Sequence, residues 1–248
     1  MTTPHLHKPE KQLNGFSLYH SNDIAIIVID RGENRLNKEF VTSFNILLDD
    51  VEKNDTCKGL ITTGAGKFYG NGLDLEWMAT LQQDDLLIFF YSLSSLLKRI
   101  LYFPLPTLAA LNGHAYAGGA LLAFAHDLRT MRIDRGWLCF NEVFINRIFS
   151  DFFFAYLRDK IGHGKNLSEA IVLGRRYTAE DAFQCGLISA MPSENLLLSE
   201  SIRVLKSFYG KTGFPRDSLV RMKEATYRNA LDIYNLEKSK QASASSKL

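Results

Sequence analysis

The stretch from Pro106 to Met131 reads PTLAALNGHAYAGGALLAFAHDLRTM and decides the fold class. Its first part, Thr107–Leu111 (TLAAL), has the length and apolar character of a buried strand. A glycine pair, Gly118 and Gly119, then opens a second apolar run of helical length. A strand, a glycine-containing turn and a helix in this order are typical of a βαβ unit, so the stretch predicts an α/β fold.

The rest of the chain repeats this alternation. Short apolar runs predict strands at Ile24–Asp30, Gly59–Thr62 and Leu128–Ile133. Apolar residues recur at helical spacing after Asn37, which can cap that helix. Further helices are predicted over residues 85–102, 118–126, 179–185, 196–208 and 216–230. We therefore expect a mostly parallel sheet that is covered by helices on both faces.

The domain organisation is predicted to be one compact unit, because no Ser/Gly-rich linker and no internal repeat interrupts the body of the chain. Residues 1–14 are predicted to form a flexible N-terminal arm and residues 237–248 a flexible tail, since neither segment has a hydrophobic period. The core is expected over residues 15–190, followed by a C-terminal helical region over residues 191–236.

Composition argues against several classes of protein. The 248 residues include 29 basic and 27 acidic side chains, a net charge of +2, so the overall charge does not favour a nucleic-acid partner. The longest apolar runs are far shorter than the ~20 residues that span a bilayer, and the polar N-terminal segment has no signal-peptide core. Cys57, Cys139 and Cys185 are far apart and form no CxxC pair, so neither a disulfide framework nor a metal site is expected.

Two glycine-rich stretches are candidates for ligand binding. In Gly64–Gly72 (GAGKFYGNG) the spacing matches neither a dinucleotide fingerprint nor a phosphate loop. This stretch is either a flexible turn or a backbone segment that approaches a ligand closely. Gly118 and Gly119 either permit tight helix–strand packing or open a helix whose free N–H groups can hold a developing oxyanion.

Glu142 differs from the other acidic residues, since it lies in WLCFNEVFI with apolar neighbours and no adjacent Lys or Arg. Apolar surroundings disfavour the ionised carboxylate and make it a better base near neutral pH. The alternative is a surface turn after a strand. His114 and His126 fit no metal-binding or nucleophile motif, and we interpret both as structural and Cys139 as a core residue.

Taken together, these residues resemble the enoyl-CoA hydratase/isomerase (crotonase) superfamily over approximately residues 15–190. The resemblance implies a crotonase-like ββα superhelix (spiral) core, with the C-terminal helices packing in a trimer or in a hexamer of two trimers. The segments that carry the resemblance are RGENRLN at Arg31–Asn37, KFYGNGLDL at Lys67–Leu75, the stretch quoted first, FNE at Phe140–Glu142 and GRRYTAEDAFQCGLI at Gly174–Ile188.

The resemblance also implies a substrate and a site. Crotonase-like proteins bind acyl-CoA thioesters and hold the thioester enolate with two backbone N–H groups, which match Leu73 and Gly118. The resemblance implies no metal and no redox cofactor. CoA is part of the substrate. The other residues expected to contact the substrate are Asn71, which matches the position whose backbone meets the adenine of CoA, Gly72 and Asp74 beside the first donor, Leu121, and Arg35 and Lys67 as phosphate contacts.

The chain departs from the hydratases of this superfamily at one of their two glutamates. Their first glutamate position is Leu121 here, and the second matches Glu142. A 1,3-proton shift needs one carboxylate that moves a proton from C2 to C4, whereas hydration also calls for activation of water. We therefore expect an isomerase that moves the double bond of 3-enoyl-CoA to trans-2-enoyl-CoA in fatty acid β-oxidation.

Two alternatives stay open at this point. The first is an enoyl-CoA hydratase or a dienoyl-CoA isomerase of the same superfamily, for which Asp151 is the nearest candidate for a second acid. The second is a non-catalytic acyl-CoA-binding protein. Independently of these, Ser246-Lys247-Leu248 match the SKL signal that the peroxisomal import receptor reads, so a peroxisomal location is expected.

Overall fold

The computed structural model describes residues 6 and 8–245, and two β-sheets organise them. The strands are β1 (Lys11–Leu13), β2 (Phe16–Ser21), β3 (Ile24–Ile29), β4 (Gly59–Gly64), β5 (Phe68–Asn71), β6 (Thr107–Leu111), β7 (His114–Tyr116), β8 (Leu128–Met131) and β9 (Leu138–Cys139). The helices are α1 (Lys38–Lys53), α2 (Leu75–Met78), α3 (Gln83–Leu101), α4 (Gly118–Ala125), α5 (Asp151–Ile161), α6 (Lys165–Leu167), α7 (Ala179–Gln184), α8 (Leu197–Lys206), α9 (Arg216–Thr226) and α10 (Arg228–Ser245).

The larger sheet has the order β1-β2-β3-β4-β6-β8, and the smaller sheet has the order β5-β7-β9. Pairing is antiparallel from β1 to β3 and parallel between all other neighbours, which confirms the expected mostly parallel sheet. From β4 onward, each strand of the larger sheet is followed by a strand of the smaller sheet and then by helix. The chain therefore forms successive ββα units.

Apolar residues cover both faces of the larger sheet, because side chains alternate along each strand. In β3, Ala25, Ile27 and Ile29 belong to the main core with the helices that cross that face. Ile24 and Ile26 face the other side and belong to a second cluster with residues of α8. None of the helices in the described part of the chain has the length and apolar character to cross a membrane.

The N-terminal segment carries more structure than the sequence predicts. Lys11–Leu13, within the arm expected over residues 1–14, forms β1 and pairs with β2. The two strands are joined by Asn14 and Gly15, whose φ angles of 48° and 78° suit a two-residue hairpin turn. The prediction of a flexible arm is therefore wrong at least over β1, because this hairpin adds the segment to the edge of the larger sheet.

The C-terminal segment differs from its prediction in the same way. Helix α10 continues to Ser245 through most of the flexible tail expected over residues 237–248. Between Glu237 and Ser245 the three Ser alternate with Glu, Lys, Gln and Ala, which favour helix even where no apolar face is present. Ser246–Leu248, the predicted import signal, lies outside the described residues. The remaining domain boundaries stay predictions.

Helix α4 lies directly against β5 because two glycines face each other. A Cβ atom on Gly119 would lie 2.1 Å from the backbone oxygen of Gly70, a separation that no side chain can occupy. A Cβ atom on Gly118 would meet its nearest neighbour at 3.4 Å, an ordinary van der Waals contact. Of the glycine pair, Gly119 is therefore required for tight helix–strand packing and Gly118 is not.

Replacement of the two glycines by alanine is expected to separate these roles. Gly119→Ala should lower the free energy of unfolding by at least about 2 kcal/mol, because the backbones of α4 and β5 must move apart. Gly118→Ala, the matched control, should change it by less than about 1 kcal/mol. Urea unfolding of both variants measures the difference, and equal stabilities would show that the Gly70–Gly119 contact does not constrain the fold.

Candidate active site

The three strands of the smaller sheet end at the same edge. Asn71 of β5 pairs with Tyr116 of β7, which pairs with Cys139 of β9. The carboxyl ends of parallel strands are where open α/β sheets bind ligands. The segments that leave these ends are residues 72–74, 117–118 and 140–142, so residues that are distant in sequence lie side by side.

The backbone N–H of Leu73 is free because of how this segment pairs. Leu36 forms an isolated parallel bridge with Leu73. In this bridge the N–H of Leu36 donates to Gly72 O at 2.8 Å, and the N–H of Asp74 donates to Leu36 O at 3.0 Å. The N–H of Leu73 therefore points away from Leu36, and no acceptor in residues 6 and 8–245 takes it.

The backbone N–H of Gly118 is free because it opens helix α4. Ala117, just before it, has a φ of 47° and a ψ of −117°, a conformation that a residue with a Cβ rarely adopts. Its N–H donates to Cys139 O at 2.9 Å, and its carbonyl accepts from Leu121 at 2.9 Å. The strained turn is thus held from both sides, and the first amide of α4 is left without an acceptor in the described structure.

The segments that carry the two free amides lie side by side. A Cβ atom on Gly72 would lie 3.8 Å from the nitrogen of Gly118, and a Cβ atom on Gly118 would lie 3.4 Å from the carbonyl carbon of Gly72. The backbone segments that carry Leu73 and Gly118 are therefore in contact. Free N–H groups of this kind can hold the negative charge that develops on a carbonyl oxygen when both point at it.

A cavity of about 1110 Å³ opens at this edge, and Leu73, Gly118 and Glu142 all lie on its wall. The volume exceeds the range of about 300–1,000 Å³ usual for small-molecule sites. The smaller sheet and the segments beside it contribute Lys67, Asn71, His114, Tyr116, Trp137 and Arg176. The helices and the segment after Glu142 contribute Met78, Phe90, Leu93, Leu121, Ile148 and Phe153.

Glu142 begins a 3-10 turn, Glu142–Ile145, directly after β9. Its side-chain atom Oε2 is buried and has no hydrogen-bond partner in the part of the chain that the structure describes. Burial removes water from the carboxylate and raises its pKa to about 7. No other Asp or Glu of the described residues lies on the cavity wall. The group can therefore take up and release a proton near neutral pH.

The structure places some of the other predicted site residues on the cavity wall and others away from it. Asn71, Gly72, Lys67 and Leu121 lie on the cavity wall together with the residues above. Asp74 does not: its carboxylate accepts from Trp77 N–H at the start of α2 and from the Asn37 side chain. Asp74 thus fixes the turn that presents Leu73 rather than facing the cavity.

Arg35 also lies off this wall. Its guanidinium donates to Glu33, and Glu76 lies 3.8 Å from it. The neighbouring carboxylates raise its pKa further above the usual arginine value, Glu33 most strongly. A cation paired in this way is a poor phosphate contact, and its prediction as one finds no support in this placement.

Several wall residues were not singled out by the sequence. His114, interpreted as structural, lies on the cavity wall with Nδ1 buried and without a partner among the described residues. Asn141 is alike, with Oδ1 buried and unpaired. The only signal for Asn141 is its place beside Glu142. Phe90, Leu93 and Ser94 recur at helical spacing in α3, a pattern that core packing also produces.

His126 and Cys139 are structural, as the sequence predicts. The ring of His126 contacts Thr62 Oγ1 at 3.0 Å and Leu122 O at 2.8 Å, and burial lowers its pKa to about 3. The imidazole is therefore neutral at physiological pH. Burial raises the pKa of the Cys139 thiol to about 11, so it stays protonated and unreactive.

Solved structures define the class of fold. Human mitochondrial delta3-delta2-enoyl-CoA isomerase superposes with a TM-score of 0.82 over 92% of this chain and 88% of that one, at 21% identity. A probable enoyl-CoA hydratase from Mycobacterium tuberculosis also gives a TM-score of 0.82, over 93% and 95% of the two chains, at 21% identity. The fold is therefore crotonase-like, with mixed sheet and C-terminal helices.

Sequence comparison assigns the family. The model of the enoyl-CoA hydratase/isomerase family matches residues 19–245, and the chain belongs to that family. Peroxisomal enoyl-CoA delta isomerase 2 of Arabidopsis thaliana is 32% identical over 214 residues, 83% of this chain and 89% of the relative. Enoyl-CoA delta isomerase 3 of the same plant is 36% identical over 163 residues, 64% and 68% of the two chains. The predicted resemblance to this family and the prediction of an isomerase enzyme are confirmed.

The burial of Glu142 predicts a pH-dependent stability difference. The carboxyl pKa is raised from 4.5 to about 7 on folding, so the wild type loses stability as pH rises through this window. Glu142→Gln has no charge to bury and escapes this loss. The free energy of unfolding of the variant, relative to that of the wild type, should therefore rise by roughly 1–3 kcal/mol from about pH 4.5 to pH 8. Urea unfolding at both pH values measures the gain. A stability difference that is the same at both would show that the carboxylate is well solvated.

Proposed function

We propose that the protein is a Δ3,Δ2-enoyl-CoA isomerase, which converts 3-enoyl-CoA into trans-2-enoyl-CoA in fatty acid β-oxidation. The observation that carries the proposal is one unpaired carboxyl group, Glu142, on the same cavity wall as the free amides of Leu73 and Gly118. The plant relatives named enoyl-CoA delta isomerases support the same reaction.

The mechanism follows from these three groups. The thioester oxygen accepts from the N–H groups of Leu73 and Gly118, and ionised Glu142 takes a proton from C2. As the C2–H bond breaks, its electron pair delocalises into a dienolate whose charge rests on the thioester oxygen. The protonated Glu142 then donates to C4, which forms the new C–H bond and leaves the double bond between C2 and C3. A carboxyl pKa of about 7 makes both directions of transfer accessible.

Isomerisation is favoured over hydration because the site has a single acid. Leu121 lies on the wall at the position where the hydratases of the resemblance carry their first glutamate. Asp151, the nearest other candidate, is exposed in the first turn of α5 and lies off the cavity wall. A second carboxyl group to activate water is therefore missing from the described wall.

Three cations on the wall suit the phosphates of CoA, which we place there as part of the substrate rather than as a separate cofactor. Lys67, Arg147 and Arg176 line the cavity, and none forms an ion pair with a residue that the structure describes. Lys67 lies 5.3 Å from the centre of the Phe68 ring, and Arg176 lies 5.3 Å from that of Trp137. Unpaired cations in these positions replace Arg35 in the proposed site.

Oligomer and location also belong to the proposal. We propose a homo-oligomer, a trimer or a hexamer, supported by exposed apolar side chains that cluster around Gly174. A surface patch of this kind marks an interaction site. A peroxisomal location is supported by the name of one plant relative, peroxisomal enoyl-CoA delta isomerase 2. The exposed apolar residues of the patch around Gly174 are Val143, Phe144, Val172 and Leu173.

Loss of the base tests the mechanism. Glu142→Gln should reduce kcat for 3-enoyl-CoA isomerisation by at least ~10²-fold while it still binds acyl-CoA, because general bases contribute on this scale. Asp151→Asn is the matched control and should keep the wild-type rate. Product analysis after incubation with 3-enoyl-CoA gives both rates. Undiminished turnover by Glu142→Gln would remove this residue from the mechanism, and an inactive wild type that binds acyl-CoA would favour the non-catalytic alternative.

The proposed base also sets the pH dependence. Glu142 must be ionised to take the C2 proton, so kcat/KM should rise with pH up to about 7 and level off above it. A profile of initial rates between about pH 5 and pH 9 measures this. A rate that stays constant down to about pH 5 would mean that the base has an ordinary carboxyl pKa. Incubation with 2-enoyl-CoA completes the test, since a 3-hydroxyacyl product would identify a hydratase.

A further inference from the structure

Helix α9 is held on the body of the protein by a charged side chain. Of its 11 residues, all of them described in the structure, Lys223 alone is buried. The ammonium nitrogen of Lys223 donates to Phe103 O at 3.0 Å, to Leu105 O at 3.2 Å and to Asp127 Oδ2 at 2.7 Å. Surface helices usually pack through an apolar face. The packing of α9 depends on a buried ion pair where other helices use apolar contacts.

A second lysine lies beside the same carboxylate. Lys160, on α5, has a side chain that is 4% exposed, and its Nζ lies 4.0 Å from Asp127 Oδ1. The same Nζ donates to His126 O at 3.0 Å and lies 4.5 Å from the centre of the Tyr227 ring. Among the described residues, Lys160 has no carboxylate at hydrogen-bond distance. Its charge is therefore paired less well than that of Lys223.

The charges around Asp127 do not balance. Arg129, on β8, is also buried, and its guanidinium donates only to backbone oxygens of the described residues, Leu187 O at 2.7 Å and His126 O at 3.1 Å. Three cations thus share one carboxylate, and a buried charge without a close partner is costly. We name Asp127, Arg129, Lys160 and Lys223 the Asp127 cluster. The other groups that face Lys160 are the neutral ring of His126, the ring of Tyr227 and the carboxylate of Asp159 on α5.

Lys160 is the member of the cluster that can lose its proton near neutral pH. Burial is the main reason that its pKa falls from 10.5 to about 7; Asp127 opposes this fall, and Arg129 and Lys223 add to it. The pKa of Arg129 falls only to about 10, so that group stays charged. The proton of Lys160 passes to water, and the neutral amine can still donate to His126 O. Repulsion between Lys160 and Lys223 then disappears, and Asp127 pairs with Lys223 alone.

We propose that the Asp127 cluster is a pH-dependent lock on the C-terminal helices, which holds α9 and α10 loosely while Lys160 is protonated and firmly once Lys160 is neutral. Helix α10 follows α9 directly, and its Tyr234 ring lies 5.3 Å from that of Phe152 on α5. Since α5 also carries Phe153 on the cavity wall, the lock determines how firmly that wall is supported. The inference is independent of the proposed isomerase reaction and is tested without substrate.

Hydrogen exchange of the full-length wild type tests the lock. Protection factors report the local opening of a helix once they are corrected for the intrinsic pH dependence of exchange. The protection of α9, relative to that of β3 and β4, should rise at least ~10-fold from about pH 6 to about pH 8.5, because Lys160 regains an ordinary pKa when α9 opens. A relative protection that is the same at both pH values would overturn the proposal.

Removal of the titrating group should abolish the response. Lys160→Met keeps a long apolar side chain but carries no charge, so the relative protection of α9 should change by less than about twofold over the same pH interval. The matched control is Lys165→Met on α6, where the side chain is 82% exposed, and it should keep the wild-type response. A Lys160→Met protein with the wild-type response would show that another group titrates, and the lock would be wrong.

Two tethers of α9 separate the lock from simple loosening. Arg216, at the start of α9, donates to Glu52 O at 2.6 Å, Asn54 O at 2.7 Å and Cys57 O at 3.3 Å, outside the Asp127 cluster. Arg216→Met should lower the protection of α9 at both pH values and leave its pH response intact. Lys223→Met should lower the protection and also remove the response. Loss of the response in both variants would contradict a lock that is specific to the cluster.

Global unfolding checks the sign of the effect. Lys160 is protonated in the folded and unfolded states below about pH 7, and the folded state gains stability from this group as pH rises from about 7 toward 10.5. Lys160→Met cannot gain in this way. Its urea midpoint, relative to that of the wild type, should therefore fall between about pH 6.5 and about pH 9. A relative midpoint that rises or stays constant would overturn the proposal.

Discussion

The register of three short parallel strands determines the geometry of the whole site. The residues paired across β5, β7 and β9 are Asn71, Tyr116 and Cys139. The segments that follow the three strands therefore leave the sheet at the same edge. Two of these segments each carry a free amide, and the third carries the carboxyl group of Glu142. Because side chains alternate along a strand, a slip of one residue would turn these groups to the other face. The hydrogen bond from Ala117 N–H to Cys139 O, 2.9 Å long, is one of the contacts that hold the register.

Burial from water acts on the proposed base and on the proposed oxyanion donors in opposite directions. It disfavours the ionised carboxylate of Glu142, whose pKa rises to about 7, and so makes the resting enzyme less stable above that pH. It also strengthens the attraction between an enolate oxygen and the two amides, since charges interact more strongly in a low dielectric. In the proposed mechanism, charge that leaves the carboxylate therefore moves to a position where the protein holds it better.

Local patterns predicted the elements whose signal is local. Asn37 caps α1 through its side chain, and β3 ends at Ile29, one residue before the end of the predicted strand. The strands of the smaller sheet contain only two to four residues, too few to show a period, and they exist because of their neighbours. The family resemblance predicted one site for Leu73, Gly118 and Glu142, and all three lie on the cavity wall. It did not predict that Arg35 pairs with Glu33, because that pairing depends on the direction of the side chains. The residues of α3 that line the cavity could not be told from core residues, because both produce the same helical spacing.

The contact between Gly70 and Gly119 joins two backbones with no side chain between them. The packing of α4 against β5 at this point therefore depends on main-chain atoms, and rotamer changes around the cavity do not alter this contact. Apolar residues of the cavity wall can be exchanged for larger or smaller ones while this main-chain contact is kept. Substrate preference and reaction chemistry can therefore diverge separately in descendants of this chain.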